Sequence, residues 1–134
     1  MSHEQTAIPC AYLRGGSSKA TFFIAKNLPK SGVLRDRVLK RVNGTPDPIQ
    51  IDGMGGSRVI TSKIAIISTS DRDDADVDYT FCQLGIDTDT IEYAGNCGNI
   101  SGTLKSTCYV ALWKVTDSCS VQRLLAHLLS MRDL

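Results

Sequence analysis

Asn96-Cys97-Gly98-Asn99, with Gly95 just before it, is the stretch around which this chain is organised. A cysteine stands there between residues that suit a sharp turn. Gly98 can take backbone angles closed to other residues. The asparagines can bond the local backbone or aim an amide at a ligand. Such a turn can point several N–H groups at one place and hold a thiol beside them. That layout suits gripping a carboxylate and moving a proton next to it. The plainer alternative is that Cys97 is a small buried hydrophobe, the commoner fate of a single cysteine.

The totals around that turn restrict the setting. A length of 134 residues allows one ordinary domain. A net charge of +1 with 22% charged residues gives no electrostatic reason to expect nucleic acid or an anionic membrane as partner. The first residues, Met1-Ser2-His3-Glu4-Gln5-Thr6, carry no apolar signal core, and no run is long enough to span a bilayer. Five cysteines, at 10, 82, 97, 108 and 119, are odd in number and lack close pairs. They read as free thiols in a reducing compartment rather than a disulfide frame or zinc site, so the expected location is cytoplasmic.

Upstream, residues 7–13 read as a short strand, with Pro9 marking its start or a sheet edge. Arg14-Gly15-Gly16-Ser17-Ser18-Lys19 follows. Two glycines, two hydroxyls and two cations can form an anion cradle; a hairpin turn with solvated charges is the alternative that spacing favours. The P-loop pattern is absent. Residues 21–25 read as the second strand of a hairpin over 7–25. Residues 31–42 read as a helix, with Ser31 as cap and Val33, Leu34, Val38 and Val42 at helical spacing. Gly44-Thr45-Pro46-Asp47-Pro48 ends it.

Asp52-Gly53-Met54-Gly55-Gly56-Ser57 is a second glycine-rich turn. It reads either as a flexible loop or as one that lets a substrate approach the backbone closely at Gly55 and Gly56. Lys63 opens an apolar strand, Ile64-Ala65-Ile66-Ile67. It either snorkels to water or, partly desolvated, serves as a base. The acidic run Asp71, Asp73, Asp74, Asp76, Asp78 fails as a calcium loop, because Asp76 stands where glycine belongs and Cys82 where the bidentate Glu belongs. It reads as a charged turn, and no metal site is expected. Residues 77–86 form the next strand, 87–90 a turn, and Ile91-Glu92-Tyr93 lead into the cysteine motif. Residues 107–115 read as a strand, and Val121, Leu124, Leu125, Leu128 and Leu129 as a helical apolar stripe.

Several of these stretches together resemble one family, the PrpF-like isomerases, which act as 2-methylaconitate, methylitaconate and aconitate isomerases and as 4-oxalomesaconate tautomerase. The residues that carry the resemblance are Ile8-Pro9-Cys10, Arg14 to Lys19, Arg35-Asp36-Arg37, Gly44 to Pro48 and Ile51 to Gly56. Thr61-Ser62-Lys63, Ala75 to Tyr79 and Asn96 to Ser101 complete the set, in family order over residues 8–101. The resemblance implies an α+β, diaminopimelate epimerase-like fold: a curved, mostly antiparallel sheet with few helices, paired in the family with a second such domain across a cleft. It implies that Lys63 and Cys97 are catalytic, that Ser18 lies at the substrate pocket, and that Asn96, Gly98 and Asn99 hold a substrate carboxylate. Arg14 or Lys19 would add positive charge there. The implied chemistry is isomerisation of small unsaturated di- or tricarboxylates by proton transfer, with no cofactor.

The resemblance stops near Ser101 or Gly102. Residues 1–102 are therefore expected to be a partial, truncated N-terminal domain, and 103–134 an unrelated tail produced by a frameshift or retained intron. On that expectation half of the cleft is missing. Turnover would then require a homodimer to supply a second wall. The alternative function is a non-catalytic remnant or a small-anion-binding fragment.

Overall fold

A computed structural model describes residues 5–103. The expected strand at 107–115, the apolar stripe at 121–129, and the tail beyond its first residue lie outside the described residues.

Runs of alternating and apolar residues form β1 (Cys10–Gly15), β2 (Ser18–Ile24), β3 (Lys63–Thr69), β4 (Val77–Leu84) and β5 (Ile91–Glu92). They lie side by side in that order in one sheet. β1/β2, β3/β4 and β4/β5 are antiparallel, whereas β2/β3 is parallel. Antiparallel neighbours need only short turns; the parallel pair needs a crossover, which α1 (Val33–Asn43) provides. A 3-10 turn at Ala25–Asn27 and the short α2 (Gly98–Ser101) are the other helices among the described residues. The sheet is mixed and mostly antiparallel with few helices, an α+β fold as expected. No described helix is long and apolar enough to cross a membrane.

The two faces of the sheet carry separate cores, because successive side chains on a strand point to opposite sides. On one face, Phe23, Ile64, Ile66, Cys82 and Leu84 are buried with Leu39, and Val38 and Val42 of α1 pack against them. On the other, Ala20, Phe22, Ala65, Ile67 and Val77 are buried around Ile100 of α2, with Tyr79 and Cys97 packed at the side. The buried stripe of α1 is thus 38, 39 and 42. Val33 and Leu34, expected in the core on helical spacing, are 77% and 62% exposed. Ser31 is not the cap either: Gly32 occupies that position without a side-chain hydrogen bond. At the other end Gly44 takes the left-handed conformation, φ 88°, and its N–H closes the last turn on Lys40 and Arg41.

The glycine-rich loop before β3 is pinned rather than loose. Gln50, 1% exposed, accepts hydrogen bonds at Oε1 from the Ser57 N–H (2.8 Å) and the Ser62 hydroxyl (3.0 Å). Asp71, Asp73, Asp74 and Asp76 of the acidic run form the turn between β3 and β4, where Arg72 pairs with Asp74 at 2.6 Å, and Asp78 lies in β4. Among the described residues no three His, Cys, Asp or Glu side chains gather as a metal site would require.

Candidate active site

The N-terminal ends of β2 and β3 lie together because those strands run parallel, with Thr21 opposite Ile64. Ser18 opens β2 and Lys63 opens β3. Counting by twos puts Ser18, Ala20 and Phe22 on the same face as Lys63, Ala65 and Ile67. That is the face on which α2 sits. Ile100 anchors α2 by burying its side chain in the core there, and this sets Cys97, three residues earlier, over the strand ends.

The result is a tight group. Lys63 is 9% exposed, and its Nζ donates to Cys97 Sγ at 3.4 Å. Cys97 Sγ lies 3.8 Å from the hydroxyl of Ser18, which is 2% exposed. The ammonium also stands 5.3 Å from the centre of the Phe81 ring, a cation–π contact from beneath. Burial pushes the Cys97 thiol up. The Ile100 N–H, the Ser18 hydroxyl and the Lys63 ammonium together outweigh that effect and hold it below the ordinary cysteine value. Cys82, on the opposite face, shows what burial does without such partners, since its thiol is pushed up to about 12. The simple reading of a lone cysteine describes Cys82; Cys97 packs against the other core and has, besides, the polar partners just named.

The remaining residues of the motif brace the turn. Asn96 Oδ1 accepts from the Ser101 hydroxyl at 2.8 Å, and Asn99 Nδ2 donates to Ser17 Oγ at 3.0 Å, tying α2 to the β1/β2 hairpin. Gly98 has ordinary helical angles; Gly95, at φ 151°, is the residue of the stretch that takes the conformation favouring glycine. Among the described residues, a side chain at Gly98 would meet nothing within 4 Å. Gly55 and Gly56 have Asn43, Gln50 and Thr61 as nearest neighbours. They stand in the pinned loop, and the group that the fold brings together is Lys63, Cys97 and Ser18.

Arg14-Gly15-Gly16-Ser17-Ser18-Lys19 is a two-residue hairpin turn, with Gly15 opposite Ser18 and Arg14 opposite Lys19. Alternation therefore turns Arg14 and Lys19 to the face away from Cys97, and the Lys19 ammonium lies 5.9 Å from the Tyr12 ring centre. They do not form the anion cradle with the thiol. Sequence reasoning missed what the two glycines do. A Cβ at Gly15 would stand 1.9 Å from the Asn99 carbonyl oxygen, and one at Gly16 2.7 Å from Asn99 Oδ1. The hairpin is bare there so that the cysteine turn can seat on it. Phe81 beneath the lysine and Ile100 as anchor were also missed; both lie at positions whose alternation or place in the motif carried the signal.

A lysine and a low-lying thiol in contact, one a cation and the other able to become an anion, can take a proton at one atom and return one at another. Comparison with known proteins adds the following. The PrpF protein family model matches residues 5–109. The chain is 56% identical over 96 residues to 4-oxalomesaconate tautomerase of Pseudomonas putida, covering 72% of this chain and 27% of that protein. It is 50% identical over 98 residues to 3-methylitaconate isomerase of Eubacterium barkeri, covering 73% and 26% respectively. A crystal structure of methylitaconate-delta-isomerase superimposes with a TM-score of 0.73 at 48% identity, over 75% of this chain and 45% of that one. The chain spans about a quarter of the length of the curated relatives it matches.

Proposed function

This chain belongs to the PrpF protein family, and from that premise we propose that it carries one wall of an isomerase site for small unsaturated di- and tricarboxylates, with Lys63 and Cys97 moving the proton. The observation that carries the reading is the 3.4 Å contact between Lys63 Nζ and Cys97 Sγ. The Cys97 thiolate removes a proton from carbon next to a carboxylate-bearing double bond. The bond electrons shift along the conjugated system, and the Lys63 ammonium supplies a proton at a different carbon. One proton leaves and one arrives, so the net change is isomerisation, and no cofactor is needed. Ser18 keeps the thiolate in place, and the backbone open at Gly98 receives the substrate carboxylate. The relatives named above, a tautomerase and an isomerase of such acids, support this substrate class. The sheet and its two cores fit the diaminopimelate epimerase-like architecture, with the opposite wall of the cleft supplied from outside residues 5–103, in the simplest arrangement by a second copy of the chain.

The test is spectroscopic. Purified protein incubated with cis-aconitate, 2-methylaconitate or 4-oxalomesaconate should change the ultraviolet absorbance of at least one, since conjugation changes. Cys97→Ala and Lys63→Ala should abolish the change. A folded circular dichroism spectrum together with flat absorbance for all three acids would defeat the proposal.

A further inference from the structure

Two nucleophiles rarely face each other as firmly as Lys63 and Cys97 do. The amine opens a central strand and is nearly buried, and the thiol stands at the start of α2, which Ile100 locks to the sheet. Their reacting atoms are already in contact. Cys97 is half-buried, so small solutes reach it. A thiolate is the form of cysteine that reduces peroxide, giving a sulfenic acid whose sulfur is electrophilic and condenses with a thiol or a nitrogen. What it meets is decided by its neighbours. Among the described residues the other thiols are Cys82, buried on the opposite face, and Cys10, at the far end of β1 from the site. The side-chain nitrogen in contact is Lys63 Nζ.

We propose that Lys63 and Cys97 are a modification site that closes into a covalent sulfur–nitrogen cross-link when the protein meets a hydroperoxide. In the first step the thiolate attacks one peroxide oxygen: an S–O bond forms, the O–O bond breaks, and the departing hydroxide takes up a proton to leave as water. In the second the deprotonated Lys63 amine attacks sulfur: the S–N bond forms, the S–O bond breaks, and a second water leaves. One thiol, one amine and one peroxide give one sulfenamide and two waters; sulfur is oxidised and peroxide reduced. Thiol reductants reverse it by attacking sulfur, releasing the amine and then the cysteine. The link occupies both groups assigned above to proton transfer, so oxidant silences the site and reductant restores it.

The whole chain is treated with stoichiometric hydrogen peroxide, digested with trypsin and read by mass. The expected product joins a peptide left uncleaved at Lys63 to the Cys97 peptide. The pair is lighter than the sum of the two by two hydrogens, and it separates after dithiothreitol. In Lys63→Arg the link is lost, and Cys97 instead accumulates as a sulfenic acid that dimedone traps. Cys97 found as sulfenic or sulfinic acid in the unaltered chain, with normal cleavage at Lys63, overturns the proposal. So does a two-hydrogen loss confined to the tryptic peptide 73–105, whether Cys97 has closed on the Gly98 backbone nitrogen or on Cys82 in the same peptide, or one shared with a cysteine elsewhere. The readout is mass rather than turnover, so the link stands or falls separately from the carboxylate reading.

Discussion

Replacing Lys63 by Met keeps the length of the side chain and removes its charge, so it isolates what the ammonium does to Cys97. Unit charges 3.4 Å apart attract by about 1 kcal/mol at the dielectric of water and by about 5 kcal/mol at an effective dielectric of about 20. Removing that attraction raises the pKa of the thiol. Cys97 is half-buried, which screens the pair and selects the lower figure, about 1 kcal/mol. The sign follows from the thiol being the neutral form: losing a neighbouring cation disfavours the thiolate. Alkylation by iodoacetamide reads thiolate directly and rises with pH until the thiol is fully ionised. In the unaltered chain that rise should be centred below the ordinary cysteine value, as the hydrogen bonds to Cys97 require. In Lys63→Met it should move upward, and the rate at neutral pH should fall about fivefold, the factor that about 1 kcal/mol represents. Cys10 lies in a separate tryptic peptide, whereas Cys82 and Cys97 share residues 73–105 and are told apart by fragment ions, so both other cysteines serve as internal references. Equal rates and midpoints for Cys97 in the two proteins, with both folded, would show that the ammonium does not hold the thiolate, and the proton-transfer pair would have to be abandoned.

Two further substitutions test the scaffold. Gly15→Ala puts a Cβ 1.9 Å from the Asn99 carbonyl oxygen and 2.8 Å from Thr103 Cγ2. The resulting overpacking should cost about 1–3 kcal/mol in urea unfolding and lift the cysteine turn, so that Cys97 alkylates like an ordinary thiol; unchanged stability and reactivity would mean that the hairpin does not seat α2. Leu39→Ala opens a cavity where α1 meets the sheet, at a side chain with 0% exposure. It should cost about 2–5 kcal/mol by the same measurement while leaving Cys97 reactivity unchanged before the transition, and a loss below about 1 kcal/mol would refute the packing of α1.

Much of the sheet is legible in the sequence because burial on both faces leaves a pattern: Ile64-Ala65-Ile66-Ile67 and the stretch from Val77 reappear as β3 and β4. What periodicity could not supply is where the supporting surface ends. Val33 and Leu34 lie on the apolar side of a helical wheel, yet they sit on the first turn of α1 and stay in solvent. The conformational freedom expected of Gly98 is not used there, for a similar reason. A glycine advertises freedom but not which neighbour uses it, and the constraint falls on Gly95 rather than Gly98. The site was legible through residues of unusual chemistry in a recognisable set. Its geometry was not, because Arg14 and Lys19 differ from Ser18 only by the parity of a two-residue turn, and parity becomes visible once the register is known.

That dependence on register is the physical core of the arrangement. Lys63 faces Cys97 because β3 pairs with β2 at Thr21–Ile64 and with β4 at Lys63–Gln83. A slip of one residue would swing Lys63 to the α1 side and bring Ile64 beneath the thiol, reversing every side chain of the strand at once. The two cores oppose such a slip, since it would drive an ammonium among the apolar side chains Leu39, Phe23 and Leu84. In the native register the same ammonium contacts the sulfur of Cys97 and lies over the Phe81 ring. A buried cation, normally a cost to the fold, is here met by a thiol held below its ordinary pKa and by an aromatic ring, so the Lys63–Cys97 contact and the strand register support each other.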